Sequence, residues 1–190
     1  MNNLTSYSIS HNESIKEMDQ KFLMQLIGDI EKCILAKGTI YTFGNGGSAT
    51  TAEHFASDLA LMNKRINVKC SAISLNSQIG LFTAIANDVS YDEIFRYQIE
   101  NVATAKDVFI GFSASGNSLN VLNAIECASS FSRQTYCFLG FDGGKILQNK
   151  SITPIHLKTS IGAYGLVENL HLILSHFIID SLISSLSKKY

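Results

Sequence analysis

Four apolar runs of strand length, each ending in Gly-, Ser- or Asn-rich turn chemistry and followed by a helical segment, constrain this chain more than any other feature. Thr39–Phe43 runs into Gly44-Asn45-Gly46-Gly47-Ser48, and Ser71–Leu75 runs into Asn76-Ser77. Asp107–Phe112 runs into Ser113-Ala114-Ser115-Gly116-Asn117-Ser118, and Thr135–Leu139 into Gly140-Phe141-Asp142-Gly143-Gly144. Thr153–Leu157 is a weaker fifth candidate. Ahead of them Ile15, Met18, Phe22, Leu26, Ile30 and Ile34 recur every three or four positions, which predicts one long helix over 13–36, ended by Gly38. Helical segments are also predicted over 49–62, 78–86, 91–103, 118–130 and 165–186. Strands alternating with helices imply βαβ units with right-handed crossovers, and hence an α/β fold built on a doubly wound parallel sheet in three layers. Ligands of such sheets sit beyond the carboxyl ends of the strands, where these Gly- and Ser-rich turns lie.

Composition agrees. Of 190 residues, 46% are hydrophobic and 16% charged, as suits one domain, 1–190, whose sheet is covered on both faces. The formal net charge of -1 gives no electrostatic footprint for nucleic acid or an anionic membrane. The short basic clusters Lys64–Arg65 and Lys188–Lys189 read as solvated surface. Cys33, Cys70, Cys127 and Cys137 form no C-x-x-C pair and read as reduced thiols of a cytoplasmic protein. The polar start Met1-Asn2-Asn3 does not look like a signal peptide. The apolar run Leu170–Leu186 is broken by His171, Ser175, His176, Asp180 and Ser181. It reads as a helix buried on most sides rather than a membrane span.

In the first loop the glycines let backbone N–H groups converge on a ligand, and the helix behind it offers its positive end to an anion. The Ser48 hydroxyl adds a donor. The bland alternative is a tight strand-to-helix turn. The stretch Gly44–Ala49 also fits the dinucleotide pattern G-x-G-x-x-A, but the second strand ends at Leu75-Asn76, without the acid that would hold a ribose. The second loop carries three serines beside a glycine at a helix start. One serine suffices for an N-cap; three make a phosphate cradle of neutral donors. The third loop, with Asp142-Gly143-Gly144, reads as ordinary turn chemistry.

His54 and Asp58 are four apart on the helix after the first loop and share a face. Glu168, His171 and His176 lie on the last helix, with His176 in an apolar stretch where an unpaired imidazole is costly. A carboxylate and an imidazole near a phosphate anchor can move a proton between adjacent sugar carbons. The same groups can bind Zn²⁺. Glu168 and His176, however, are roughly 12 Å apart along a helix, long for two ligands of one ion within one subunit.

Taken together, GNGGSATTAEHFASDL, AIANDVSYDEIF and SASGNS resemble the sugar isomerase (SIS) domain and, more closely, the bacterial phosphoheptose isomerases, over roughly residues 10–186. The resemblance implies a five-stranded sheet, a homotetramer with sites near subunit interfaces, and conversion of sedoheptulose 7-phosphate to a heptose 7-phosphate for lipopolysaccharide or capsule. It places substrate contacts at Asn45, Gly46, Gly47, Ser48, Asp88, Ser113, Ala114, Ser115, Ser118 and Glu168. It places metal or acid/base positions at His54, Asp58, Glu168 and His176, with Asp58 as base, His176 as acid and Zn²⁺ as the ion. The chain departs from the family pattern at Asp58 (usually Glu), Glu168 (Gln), Ala114 (Thr), Met62 (a basic residue) and Gly165 (an acid). A relative of this family binds the replication initiator without catalysis, and a phosphosugar sensor is a further expectation for such a domain.

Overall fold

The computed structural model describes residues 3–188; the readings of Met1-Asn2 and of Lys189 fall outside them. The helices are α1 (Leu4–Glu17), α2 (Lys21–Leu35), α3 (Gly47–Ala60), α4 (Met62–Ile66), α5 (Ile79–Asp88), α6 (Arg96–Val102), α7 (Leu119–Phe131), α8 (Gly144–Leu147) and α9 (Tyr164–Leu186). A 3-10 turn, Tyr91–Glu93, precedes α6. The strands are β1 (Thr39–Gly44), β2 (Ser71–Ser74), β3 (Val108–Ser113), β4 (Thr135–Leu139) and β5 (Thr153–His156). They form one parallel sheet in the order β2-β1-β3-β4-β5. The order reverses between β1 and β3, so the loops leaving those two strands flank the switch point at which such sheets bind ligands.

The predicted single helix over 13–36 is two helices. The chain turns extended at Met18, and the Asp19 carboxylate accepts the Lys21 N–H at 2.9 Å. A short acidic side chain bonding its own backbone two residues on competes with helix continuation. The apolar spacing runs through the break because Ile15, Met18 and Phe22 still face the same core. The first helix begins earlier than expected, where Asn3 Oδ1 accepts the Ser6 N–H at 2.8 Å.

Every residue of β3 and β4 is buried, as continuous apolar runs require when helices cover both faces. Alternate residues divide between the layers. Ile40, Ile110, Phe112 and Phe138 pack with α2, α3 and α9, whereas Tyr41, Phe43, Phe109 and Leu139 pack with α5, α6 and α7. Asp107, just ahead of β3, joins the strand starts: its carboxylate accepts the Thr39 N–H at 2.7 Å and the Thr104 N–H at 2.7 Å. By length and composition α9 could cross a membrane. Its Val167, Leu170, Leu174, Ile178 and Leu182 are instead buried in the core, and only a stripe with Ile173 and Phe177 stays exposed.

Candidate active site

The loops after β1 and β3 meet in one cavity of about 320 Å³, lined by Asn45, Gly46, Gly47, Ser48, Phe112, Ser113, Ala114, Ser115, Ser118, Tyr164 and Glu168. All but two of these were expected from sequence. Phe112 and Tyr164 were not, because an aromatic residue at a strand end or helix start carries no motif. Gly46 turns the chain at φ 55°, and α3 opens immediately after it in a tight first turn, where the Ser48 N–H donates to the Asn45 carbonyl at 3.0 Å and the Ala49 N–H to the Gly46 carbonyl at 3.0 Å. Asn76 braces this loop. Its amide takes the Gly44 N–H at 3.3 Å and donates to the Gly44 carbonyl at 2.9 Å. An amide clamp thus stands where a dinucleotide site would need an acid.

The serines of the second loop serve the turn and keep their protons. Ser113 Oγ accepts the Gly116 N–H at 3.1 Å, and Ser115 Oγ accepts the Asn117 N–H at 3.2 Å. A hydroxyl that accepts one bond still has its O–H to donate. Ser118 is the N-cap of α7, yet its side chain makes no capping bond. Capping and phosphate binding are therefore compatible here.

The third loop does more than turn the chain. Gly116 has φ 63°, and a side chain there would run into the Gly143 carbonyl. The Ile146 N–H donates to the Gly116 carbonyl at 2.9 Å, and the Lys145 N–H to Asn117 Oδ1 at 3.1 Å. Phe141, itself at φ 47°, holds Tyr164 edge-on at 5.0 Å.

A second cluster lies farther along α3 and α9. His54 Nε2 and His176 Nε2 are 2.9 Å apart, and Asp58 Oδ2 stands 3.4 Å from the first and 3.8 Å from the second. Tetrahedral donors about 2.0–2.1 Å from a zinc ion lie about 3.3–3.4 Å from one another. The three ligand atoms, all within 4.8 Å of one another, fit such an ion with small adjustments. Glu168 is not among them. It lies two turns earlier on α9, against Gly47, where an added side chain would collide with its carboxylate. The helical rise that made Glu168 and His176 a long pair of ligands separates them here.

α3 and α9 therefore run side by side in the same direction. Gly47 meets Glu168 at the cavity end, and His54 meets His176 farther along. Asp58 also faces Arg65 Nη2 from α4 at 3.8 Å, so this arginine, read as plain surface, returns a cation to the site. Met62, at the family's basic position, is fully buried instead. Asp88 lies apart, exposed at the end of α5 and bonded to Asn87 at 2.8 Å.

The unpaired imidazole is His171, not His176. It is fully buried between Phe112 and Phe138, with ring centroids 5.9 and 5.7 Å away, and neither nitrogen has a hydrogen-bond partner among the described residues. Burial pushes it down to about 4, the Leu139 backbone opposing only in part.

Comparison with known proteins identifies the family. The SIS domain family matches residues 6–140. Phosphoheptose isomerase of Helicobacter pylori is 37% identical over 175 residues, 90% of each chain. That of Neisseria gonorrhoeae is 32% identical over 155 residues, 82% of this chain and 79% of the relative. A solved structure of the phosphoheptose isomerase from Neisseria gonorrhoeae superposes with a TM-score of 0.82 at 28% identity, covering 95% of this chain and 94% of that one. With the family match over 6–140 and a relative 37% identical across 90% of each chain, the chain belongs to the SIS domain family and, within it, to the phosphoheptose isomerases.

Proposed function

We propose that this phosphosugar isomerase converts sedoheptulose 7-phosphate to D-glycero-D-manno-heptose 7-phosphate. The carrying observation is the spacing of cavity and cluster on one helix. The seven residues from Gly47 to His54 rise about 10 Å, a distance that an extended seven-carbon phosphosugar spans. The phosphate rests on the hydroxyls of Ser48, Ser113, Ser115 and Ser118, on the backbone of Gly46, Gly47 and Ala114, and on the positive ends of α3 and α7. Asn45 and Glu168 meet the carbon chain. Asp88, outside this cavity, has to reach the sugar from another direction.

Asp58 takes the proton from C1 of the ketose and returns it to C2. His176 takes the proton from one oxygen and supplies it to the other, so the enediol collapses to the aldose with no net proton change. His54, Asp58 and His176 would each give one atom to a zinc ion, which supplies a Lewis acid for the sugar oxygens when bound, while the second carboxylate oxygen of Asp58 and the second ring nitrogen of His176 serve the proton steps. Arg65 keeps the Asp58 carboxylate oriented.

The chain works as one SIS domain, assembled as a cytoplasmic homotetramer that feeds lipopolysaccharide or capsule synthesis. The exposed Ile173 and Phe177, one turn apart on α9, support assembly, and four free cysteines support a reducing compartment. The test follows aldose formation from sedoheptulose 7-phosphate by NMR, with and without chelator. Wild type turns over; Asp58→Asn and His176→Ala lose at least about 100-fold in kcat. Zinc-loaded wild type with no turnover would overturn the reading.

A further inference from the structure

Asn45 lines the cavity, yet most of its side chain is already committed. Its Nδ2 donates to Asn120 Oδ1 at 2.8 Å, and its Oδ1 accepts from Asn120 Nδ2 at 2.9 Å. The Tyr91 hydroxyl donates to the same Asn45 Oδ1 at 3.1 Å. The orientation of both amides is fixed by a third group. The Val121 backbone N–H donates to Asn120 Oδ1 at 2.9 Å, and a backbone N–H can only donate, so that atom of Asn120 is the oxygen. Asn120 then has its NH₂ toward Asn45, and Asn45 must answer with its oxygen. Asn120 is 2% exposed. Turning either amide over would set like groups face to face beside the buried Asn120, at the cost of its unsatisfied polar atoms.

A carboxamide has two acceptor sites and two N–H donors. Asn45 spends both acceptor sites, on Asn120 and Tyr91, and one donor. A single N–H remains for whatever enters the cavity. We propose that Asn120 is a positioning residue of the isomerase: through this reciprocal clasp it presents Asn45 to the phosphosugar as a hydrogen-bond donor and never as an acceptor. The inference rests on the reading that the cavity holds a phosphosugar. The chemistry it selects is an oxygen with a lone pair, from phosphate or sugar; an ammonium or amide N–H at the same place is rejected.

A double-mutant cycle on the full chain tests it. Asn120→Ala is expected to lower kcat/KM for sedoheptulose 7-phosphate about tenfold to thirtyfold, the worth of one well-placed hydrogen bond. In an Asn45→Ala background the same change is expected to cost nothing further, because its effect passes through Asn45. Equal losses in both backgrounds, or no loss in either, would overturn the proposal. A second measurement needs no variant to fold well and no turnover. In the wild-type protein, one proton of the Asn45 side-chain amide is expected to exchange slowly with solvent and the other quickly; rapid exchange of both overturns the clasp. If wild type fails to isomerise sedoheptulose 7-phosphate, the assigned reaction falls, while the exchange result still decides the clasp.

Discussion

The Nε2 atoms of His54 and His176 face each other at 2.9 Å across 122 residues of sequence. Two imidazole nitrogens at that distance cannot both carry protons comfortably; one accepts while the other donates, or both turn to a shared cation. Asp58 Oδ2 completes the triangle. Zinc is therefore expected to bind with one ion per chain, and His54→Ala or His176→Ala is expected to weaken it at least about 100-fold. Calorimetric titration of chelator-treated protein reads this directly. Wild-type affinity retained in both variants would place the ion elsewhere.

Glu168 puts a negative charge in a cavity that otherwise offers only neutral donors. A carboxylate beside an entering phosphate opposes it. Glu168→Gln, which keeps the shape and removes the charge, is expected to tighten inorganic phosphate about threefold to tenfold at low salt. Titration calorimetry at two ionic strengths checks it; unchanged or weaker binding contradicts the electrostatic argument.

Gly46 and Gly116 both have positive φ, at 55° and 63°, but differ in the space around them. Nothing lies within 4 Å of an added Cβ at Gly46, whereas at Gly116 it enters the Gly143 carbonyl. Gly46→Ala, at φ 55° and ψ -124° outside the left-handed helical region, is expected to cost about 1–3 kcal/mol, the backbone term alone. Gly116→Ala is expected to cost at least about 3 kcal/mol and to abolish phosphate binding. Urea unfolding of the pair separates backbone strain from collision.

His171 gives stability a pH dependence. The unfolded chain takes up this proton near 6.5, and the buried ring only near 4. Between those values the unfolded state holds more protons. The contribution is thus full above 6.5 and drains away as pH falls, by on the order of 3 kcal/mol in all. His171→Leu is expected to remove this component. Its unfolding free energy is expected to fall by about 2 kcal/mol less than that of wild type between pH 7.5 and 5.0. Parallel curves for the two proteins would show that the ring is not held neutral.

Much of this was legible in the sequence because strand-length apolar runs and glycine-serine turns have local causes. All five strands stand where the pattern puts them, and the two Gly- and Ser-rich loops line one cavity. What escaped is what depends on the third dimension. The apolar spacing through Ile15, Met18 and Phe22 cannot register a turn that leaves the core face unchanged. His171 and His176 lie in the same apolar stretch, but five residues place them on different faces, one in the core and one at the site. Arg65 reaches Asp58 from α4, a helix that follows α3 after Leu61 alone, whereas the pattern ended the helix at 62. Tyr164 and Phe141 have no motif; their roles arise from the contact between them.

The interlock of Gly116 with Gly143 has a mechanical consequence. Because one loop's carbonyl fills the space a side chain would need on the other, the two cannot shift independently. Phe141 then carries the connection to Tyr164 at the head of α9. An anion settling on the serines therefore meets a surface assembled in advance and anchored to the helix that bears His176. On the proposed reading, little ordering entropy is spent on capturing an anion there, and His176 is in position before the sugar arrives.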